Sequence, residues 1–334
     1  MHKRFVNHCT INLTISPCGP LLIKSGKEGA DPTKPNMEFV ETYHRGGRSI
    51  YLPGSSLKGA IRAHAERIVR TVGRTNFDAG DPELPWANDP INDKYEYLKD
   101  KKDKQKKLPS YEVYQKSSFT DQMFGSTEIA SRVRIEDAYP VDTAQLKIEE
   151  RNGVAIDRVF GSVAHGPFEY EVCTAGEFRT KIHLKNFTLA QLGLIGLVLR
   201  DLNDGWFGLG FAKSRGMGLV AVKLNQATVQ YPGCIIDKET GQIRHLGSFQ
   251  DWDPKTLLGV TQFFNPDDEE QNEARKSYGY DKLKKDIHTG LPVAGKAMEL
   301  GFGVELIWEG ETQIKGDLFR RAVESWSALL GVAV

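Results

Sequence analysis

Cysteine is scarce in this chain. Its 334 residues hold four, Cys9, Cys18, Cys173 and Cys234, and none forms a Cys-x-x-Cys pair or joins histidines at zinc-finger spacing. They read as reduced, mostly buried thiols of a cytosolic protein. Net charge is also lacking, because 44 Lys and Arg residues face 44 Asp and Glu residues. A free-standing nucleic-acid binder usually carries a basic excess, since neutralising phosphates drives its affinity. Any basic surface here must be local, with the acids elsewhere, against protein neighbours. Long apolar runs are missing as well. The start MHKRFVNHCTINLTI has no continuous apolar core of a signal peptide, and Phe187 to Leu202 is interrupted by Gln191, Arg200 and Asp201. That stretch is too short and too polar to span a bilayer, so the chain reads as soluble and cytoplasmic, with no membrane partner. No repeat recurs at a period of about 20 to 50 residues.

What is present is a set of alternating and helical patterns. Cys9, Ile11, Leu13 and Ile15 alternate with Thr10, Asn12, Thr14 and Ser16, which predicts a half-buried strand. Leu52-Pro53-Gly54-Ser55-Ser56 opens a helix with Ser55 or Ser56 as N-cap and an apolar stripe of Leu57, Ile61, Ala65, Ile68 and Val72, ended by Gly73. Residues 75–118, rich in turns and in the lysine run 99–107, read as a loop insertion. Val133 and Ile135 suggest a strand, Asn152 to Cys173 a protruding hairpin with Gly161, Gly166 and Pro167 near its tip, and Phe178 to Leu184 another strand. Thr188 to Leu202 is an apolar helix with Thr188 as N-cap, and Gly218 to Leu224 closes as a strand. The order strand, helix, strand, strand, helix, strand predicts an α/β (α+β) fold of the ferredoxin-like, RRM-like kind. Beyond Tyr231 a charged, turn-rich stretch leads to a strand over Met298–Trp308 and a helix over Leu318–Leu330.

Three stretches carry chemistry. In LPGSSLKGAIR, residues 52–62, a Pro-Gly turn meets a helix N-terminus, where free N–H groups, two hydroxyls and Lys58 can receive a phosphate. Gly59, which costs roughly 1 kcal/mol against Ala in a helix, implies a second backbone passing close by; an ordinary capped helix is the equal alternative. In GLGFAKSRGMG, residues 208–218, four glycines let a polyanion approach while Lys213, Ser214 and Arg215 donate. No Gly-Lys-Ser/Thr closes it, and it follows a helix and enters a strand, so it is neither a Walker loop nor a dinucleotide fingerprint. Arg132 and Arg134 alternate on a strand, which would place both guanidinium groups on one sheet face. The two glycine-bearing turns are expected to share one sheet.

Together LPGSSLKGAIR, FGSTEIASRVRIEDA, RNGVAIDRVFGSVAHGPFEYE and GLGFAKSRGMGLV resemble, in order over residues 5 to 225, the signatures of the RAMP superfamily. The nearest likeness is the guide-RNA-binding backbone subunit of type III CRISPR-Cas effector complexes. The resemblance implies a palm over 1–230, a thumb over about 151–177 with its tip around Val163 to Phe168, and an accessory segment over 231–334 packed on the core. It implies guide RNA, target RNA and other effector subunits as partners. The RNA-binding residues it implies are Ser55, Ser56, Lys58 and Arg62, the glycine-rich loop's Lys213, Ser214 and Arg215, the arginines Arg132 and Arg134, and Arg158 on the thumb.

Catalytic members of that superfamily cut target RNA with an aspartate in the loop after the first strand and need a divalent metal, magnesium or manganese. Asp31 is the matching position and the implied metal ligand, although the loop departs from the usual spacing before LPGSS; Glu28 and Glu38 are weaker candidates. Two rival readings stay open, a non-cutting filament subunit and a guide-processing ribonuclease with a histidine base. For the latter, His44, His64 and His165 are available, but the sequence shows no partner for His44 or His64.

Overall fold

The computed structural model describes residues 4–26, 35–44, 46–74, 85–89, 91, 96–98, 108–248, 250–265, 267–283 and 285–332. Strand β1 (His8–Pro17) buries Cys9, Ile11, Leu13 and Ile15 and leaves Thr10, Asn12 and Ser16 partly open on the other face, where Thr14 is buried. A two-stranded ribbon, β2 (Glu41–His44) and β3 (Gly47–Ile50), leads to helix α1 (Gly54–Val72). Short helices α2 (Ser110–Lys116) and α3 (Phe119–Phe124) follow, then strands β4 (Val133–Ile135) and β5 (Tyr139–Pro140). A hairpin of β6 (Lys147–Ile156) and β7 (Val163–Ala175) precedes β8 (Phe178–Lys185), helix α4 (Leu189–Asn203) and β9 (Val220–Tyr231).

The fold is mixed α+β. In its main sheet the order is β9-β1-β8-β4, every neighbouring pair antiparallel, with β5 also pairing β8. Helices α1 and α4 cover one face. Leu57, Ile61, Ala65 and Val69 of α1 are buried, and α4 is buried nearly all round. Thr188 caps α4 in a full capping box: its hydroxyl accepts from Gln191 N–H while the Gln191 side chain accepts from Thr188 N–H.

The chain after β9 adds to this core. Strand β10 (Cys234–Ile236) starts a small sheet with residues 243–245 and 251–252. Strand β11 (Val304–Glu309) pairs antiparallel with β9 and extends the main sheet, and helix α5 (Arg320–Leu329) lies on α4, where Gly193 and Gly196 leave room for Ala322 and Phe319. Asp286 ties this part to the core. Its carboxylate accepts from Leu189 N–H at 2.7 Å, Thr261 N–H at 2.9 Å and the Thr261 hydroxyl at 2.6 Å, and burial pushes it up to about 6.

Several local expectations need correction. Pro53, not a serine, precedes α1, and no side chain caps it. The α1 stripe continues in four-residue steps from Leu57, Ile61 and Ala65 to Val69, leaving Val72 exposed. No described atom lies near the Cβ position of Gly59. The close approach is at Gly54, where a Cβ would collide with the Ile135 and Glu136 backbone. The expected strand at 298–308 begins only at Val304, since Leu300 adopts φ 69° and breaks the extension. The tip of the hairpin is the turn 157–162, before Val163, with the Asp157 carboxylate accepting from the N–H groups of Val159 and Phe160.

Candidate nucleic-acid interface

The glycine-rich turn is built onto the segment that leaves β1. Gly218 N–H donates to Pro20 O at 2.8 Å and Phe211 N–H to Leu22 O at 2.8 Å. Gly210, at φ +74°, presses its α-carbon against the Leu22 carbonyl, so only a residue without Cβ fits there. The same segment pairs on its other side with the base of the hairpin. Leu21 N–H donates to Cys173 O at 2.9 Å, and Cys173 N–H returns a bond of 2.8 Å to Leu21 O. Farther along, Lys24 bridges Phe39 and Met37 bridges Tyr170, while the Glu171 carboxylate accepts from Phe39 N–H at 2.9 Å. The glycine turn, the stem of the loop after β1 and the hairpin base thus form one backbone-bonded platform.

Cations and one aromatic ring mark this platform. Lys213, Ser214 and Arg215 are exposed in a single 3₁₀ turn. The Arg215 guanidinium lies over the Phe211 ring at 5.0 Å and the Lys24 ammonium lies 5.4 Å from the same ring. From the platform the hairpin projects to an apolar tip, where Val159 and Phe160 are 82% and 84% exposed. Arg158 sits in this tip turn and is exposed, and so is His165 on β7. Asp31 and Glu28 lie outside the described residues. Glu38 is half-buried in the stem, its carbonyl accepting from Ser25 N–H.

The start of α1 forms a second place. Ser55 and Ser56 are exposed, and Lys58 Nζ donates to Ser131 Oγ at 2.8 Å. Burial, and then the nearby Arg62 guanidinium, hold the Lys58 ammonium below its ordinary value. A groove of about 510 Å³ is lined here by Gly54, Ser55, Lys58 and Arg134. None of residues 208–218 lines it, so this groove does not join the two glycine-bearing turns.

Two of the expected RNA contacts have other work. Arg62 donates to the Gly125 carbonyl at 2.8 Å, to Glu66 at 2.8 Å and to Asp121 at 2.7 Å, locking α1 to α3. Burial raises the Asp121 carboxyl, and the Ser118 hydrogen bond and Arg62 oppose that shift. Arg132 is only 3% exposed. Its guanidinium donates to Asn186 O at 2.6 Å and to the Tyr280 hydroxyl at 3.0 Å, and it stacks 4.4 Å from the Tyr114 ring. Arg132 precedes β4, so strand alternation does not govern it. Arg134, inside β4, keeps its side chain 70% exposed.

His44 and His64 have partners after all. Buried His64 is hydrogen-bonded through Nε2 to Asp201 at 2.8 Å and stacks on Phe207 at 4.3 Å; His44 stacks on Tyr139 at 3.7 Å. His64 is thereby enclosed, which does not suit a base that must reach RNA. Sequence reasoning missed the wet side of β8, where Arg179, Lys181, His183 and Lys185 alternate with the apolar residues that identify the strand. Among the described residues no three His, Cys, Asp or Glu side chains converge as a metal site, and no helix is long and apolar enough to cross a membrane.

A family model, the RAMP superfamily, matches residues 14–221, which is more than half of the chain. No curated protein matches it. The matched span runs from β1 to the start of β9 and takes in the platform, the hairpin and the start of α1.

Proposed function

The chain belongs to the RAMP superfamily, whose members carry a CRISPR-associated RNA-binding role, and from that premise we propose that it is a guide-RNA-binding backbone subunit of a type III CRISPR effector. The observation that carries this reading is the platform, in which the glycine-rich turn, the loop stem and the hairpin base share backbone hydrogen bonds. The sheet order β9-β1-β8-β4 with α1 and α4 on one face supports a ferredoxin-like palm. Lys213, Ser214 and Arg215, with Lys24 nearby, take the guide's phosphates, and glycine at 210 keeps the turn seated on the stem. Ser55, Ser56, Lys58 and Arg134 offer further contacts at the other groove. Val159 and Phe160 at the hairpin tip can replace the stacking that a nucleotide loses when it is displaced. Effector neighbours and target RNA complete the partner set, and acidic surface meets basic surface between subunits.

The second part of the proposal is metal-dependent endonucleolysis of the paired target at Asp31, which the Lys24–Phe39 bridge brackets in sequence. A magnesium or manganese ion would be held by Asp31 together with RNA phosphate oxygens. Bound there, the ion would supply charge stabilisation at the scissile phosphate. The test is an effector reconstituted with guide, target and either the native chain or Asp31→Ala. Cleavage at this subunit's position should vanish with Asp31→Ala and with chelator, while guide binding persists. Cleavage that survives Asp31→Ala rules out the nuclease half and leaves the non-cutting filament subunit.

A further inference from the structure

A cavity of about 350 Å³ opens between α4, β9 and the last helical stretch of the chain. Leu197 of α4, Val222 and Leu224 of β9, and Phe319 and Val323 make its walls apolar. None of its lining residues belongs to the platform, the hairpin or the groove at the start of α1. Small-molecule sites occupy roughly 300–1,000 Å³ and combine apolar walls with a few polar groups. Walls without an occupant forfeit packing contacts, so an apolar guest gains by entering. The family match ends at residue 221, before Phe319 and Val323, so the C-terminal addition completes the cavity.

Residues Ile314–Phe319 wind as a π-helical turn between a short helical turn, Gly310–Gln313, and α5. Such turns are rare and recur at functional sites. Lys315 and Phe319 of this turn and Arg320 just after it all line the cavity. Across from them, Gly196 lets the Phe319 ring lie against the α4 backbone, since a Cβ there would come within 2.8 Å of the ring. The charged groups at the mouth differ in how far they are committed. Arg200 gives two N–H groups to Asp201, at 2.7 and 2.9 Å, Lys315 meets Glu311 at 3.0 Å, and Glu324 receives Lys285 at 2.9 Å. Asp204 accepts from the Asn203 amide at 3.5 Å. Arg320 is exposed and forms no ion pair with any described residue. Its planar fork of N–H donors suits a carboxylate.

We propose that this cavity binds a small amphipathic anion, an acyl carboxylate whose chain fills the apolar interior and whose head group meets Arg320. An acyl cation would gain only Asp204, with Lys315 and Arg320 opposing it. A nucleotide or sugar would bring polar groups against Val222, Leu224 and Phe319, whose side chains offer them no hydrogen bonds. The bound chain touches α4, β9 and the last helical stretch at once. It therefore ties the C-terminal addition to the core and raises the melting temperature by binding the folded state alone. Nothing in this site depends on guide binding.

The test is isothermal titration calorimetry of the full chain with decanoate, octanoate, decanol and decyltrimethylammonium, all below micelle formation. Each buried methylene contributes roughly fourfold, so octanoate should bind roughly fifteenfold more weakly than decanoate. Val323→Phe fills the cavity and should cut decanoate affinity at least roughly tenfold while the ligand-free chain keeps its melting temperature. Arg320→Gln should weaken decanoate roughly three- to fivefold and leave decanol unchanged, whereas Asp204→Asn should tighten decanoate. Both of these side chains are exposed, so they carry the test if Val323→Phe does not fold. Val159→Ser with Phe160→Ser should change nothing, which separates the cavity from the apolar hairpin tip. Labelled guide RNA should bind Val323→Phe as it binds the native chain, so this reading and the RNA reading can fail separately. Decanoate affinity that is unchanged in a folded Val323→Phe chain, unmoved by Arg320→Gln and Asp204→Asn, or matched by decyltrimethylammonium would overturn the proposal. The absence of saturable binding would overturn it too and leave the cavity to an apolar segment of a neighbouring protein.

Discussion

Replacing Gly210 by alanine tests whether the glycine-rich turn is shaped by its seat on Leu22. Gly210 and Gly216 sit in the same turn with nearly the same backbone, φ +74° and +80°. A left-handed conformation costs an L-residue roughly 1–2 kcal/mol, and alanine recovers about 0.4–1 kcal/mol by restricting the unfolded chain. At Gly216 nothing lies within 4 Å of the new Cβ, so Gly216→Ala should cost about 1 kcal/mol or less. At Gly210 the methyl would overlap the Leu22 carbonyl oxygen, and that oxygen cannot retreat without losing the 2.8 Å bond from Phe211 N–H. The added clash resembles overpacking, typically 1–3 kcal/mol, so Gly210→Ala should cost about 2–4 kcal/mol in all. Urea denaturation of the two variants gives the comparison. The Gly210→Ala chain, where folded, should also bind guide RNA more weakly than Gly216→Ala, because Lys213 and Arg215 ride on the displaced turn. Equal costs at the two positions would refute the close-seating argument.

Three further outcomes are expected. Arg132→Ala should lower stability by on the order of 3 kcal/mol, since it strands the buried Asn186 carbonyl and Tyr280 hydroxyl, whereas Arg134→Ala should stay within about 0.5 kcal/mol; thermal melts compare them. His288 is pushed down to about 4 by burial, with Lys285 adding to the shift. The unfolded chain takes up that proton below about 6.5 and the folded one only near 4. The contribution of His288 is therefore complete above pH 6.5 and is lost on acidification through this window, at most about 3 kcal/mol; His288→Gln should flatten the stability profile there. Val159→Ser with Phe160→Ser should leave the melting temperature unchanged, because both side chains are exposed, yet should alter the nuclease footprint of bound guide RNA.

Patterns that a single segment imposes on itself were legible in the sequence. The alternation in β1, β8 and β9, the N-cap at Thr188 and the termination of α1 at Gly73 each depend on neighbours a few residues away, and each is found. So was the hairpin between Asn152 and Cys173, though its tip lies at 157–162 because Asp157 forms the turn. Arg132 is the counterexample. Its spacing from Arg134 suggested a shared sheet face, but Tyr280, distant by 148 residues, claims its guanidinium. Arg62 likewise looked like a phosphate ligand until α3 brought Asp121 within 2.7 Å.

Sequence alone determined the elements with a clear apolar period, such as β1, β8, β9 and α4, because that choice is made by local sterics and spacing; helix α2, within the stretch 75–118 read as a loop insertion, and the ribbon β2–β3 lacked that signal. It equally held the basic stripe on β8, hidden in plain alternation with its apolar face. Tertiary structure decided which cations remain on the surface. A guanidinium leaves water only where distant carbonyls, hydroxyls and carboxylates converge to replace its hydration, and that convergence is a property of the assembled fold.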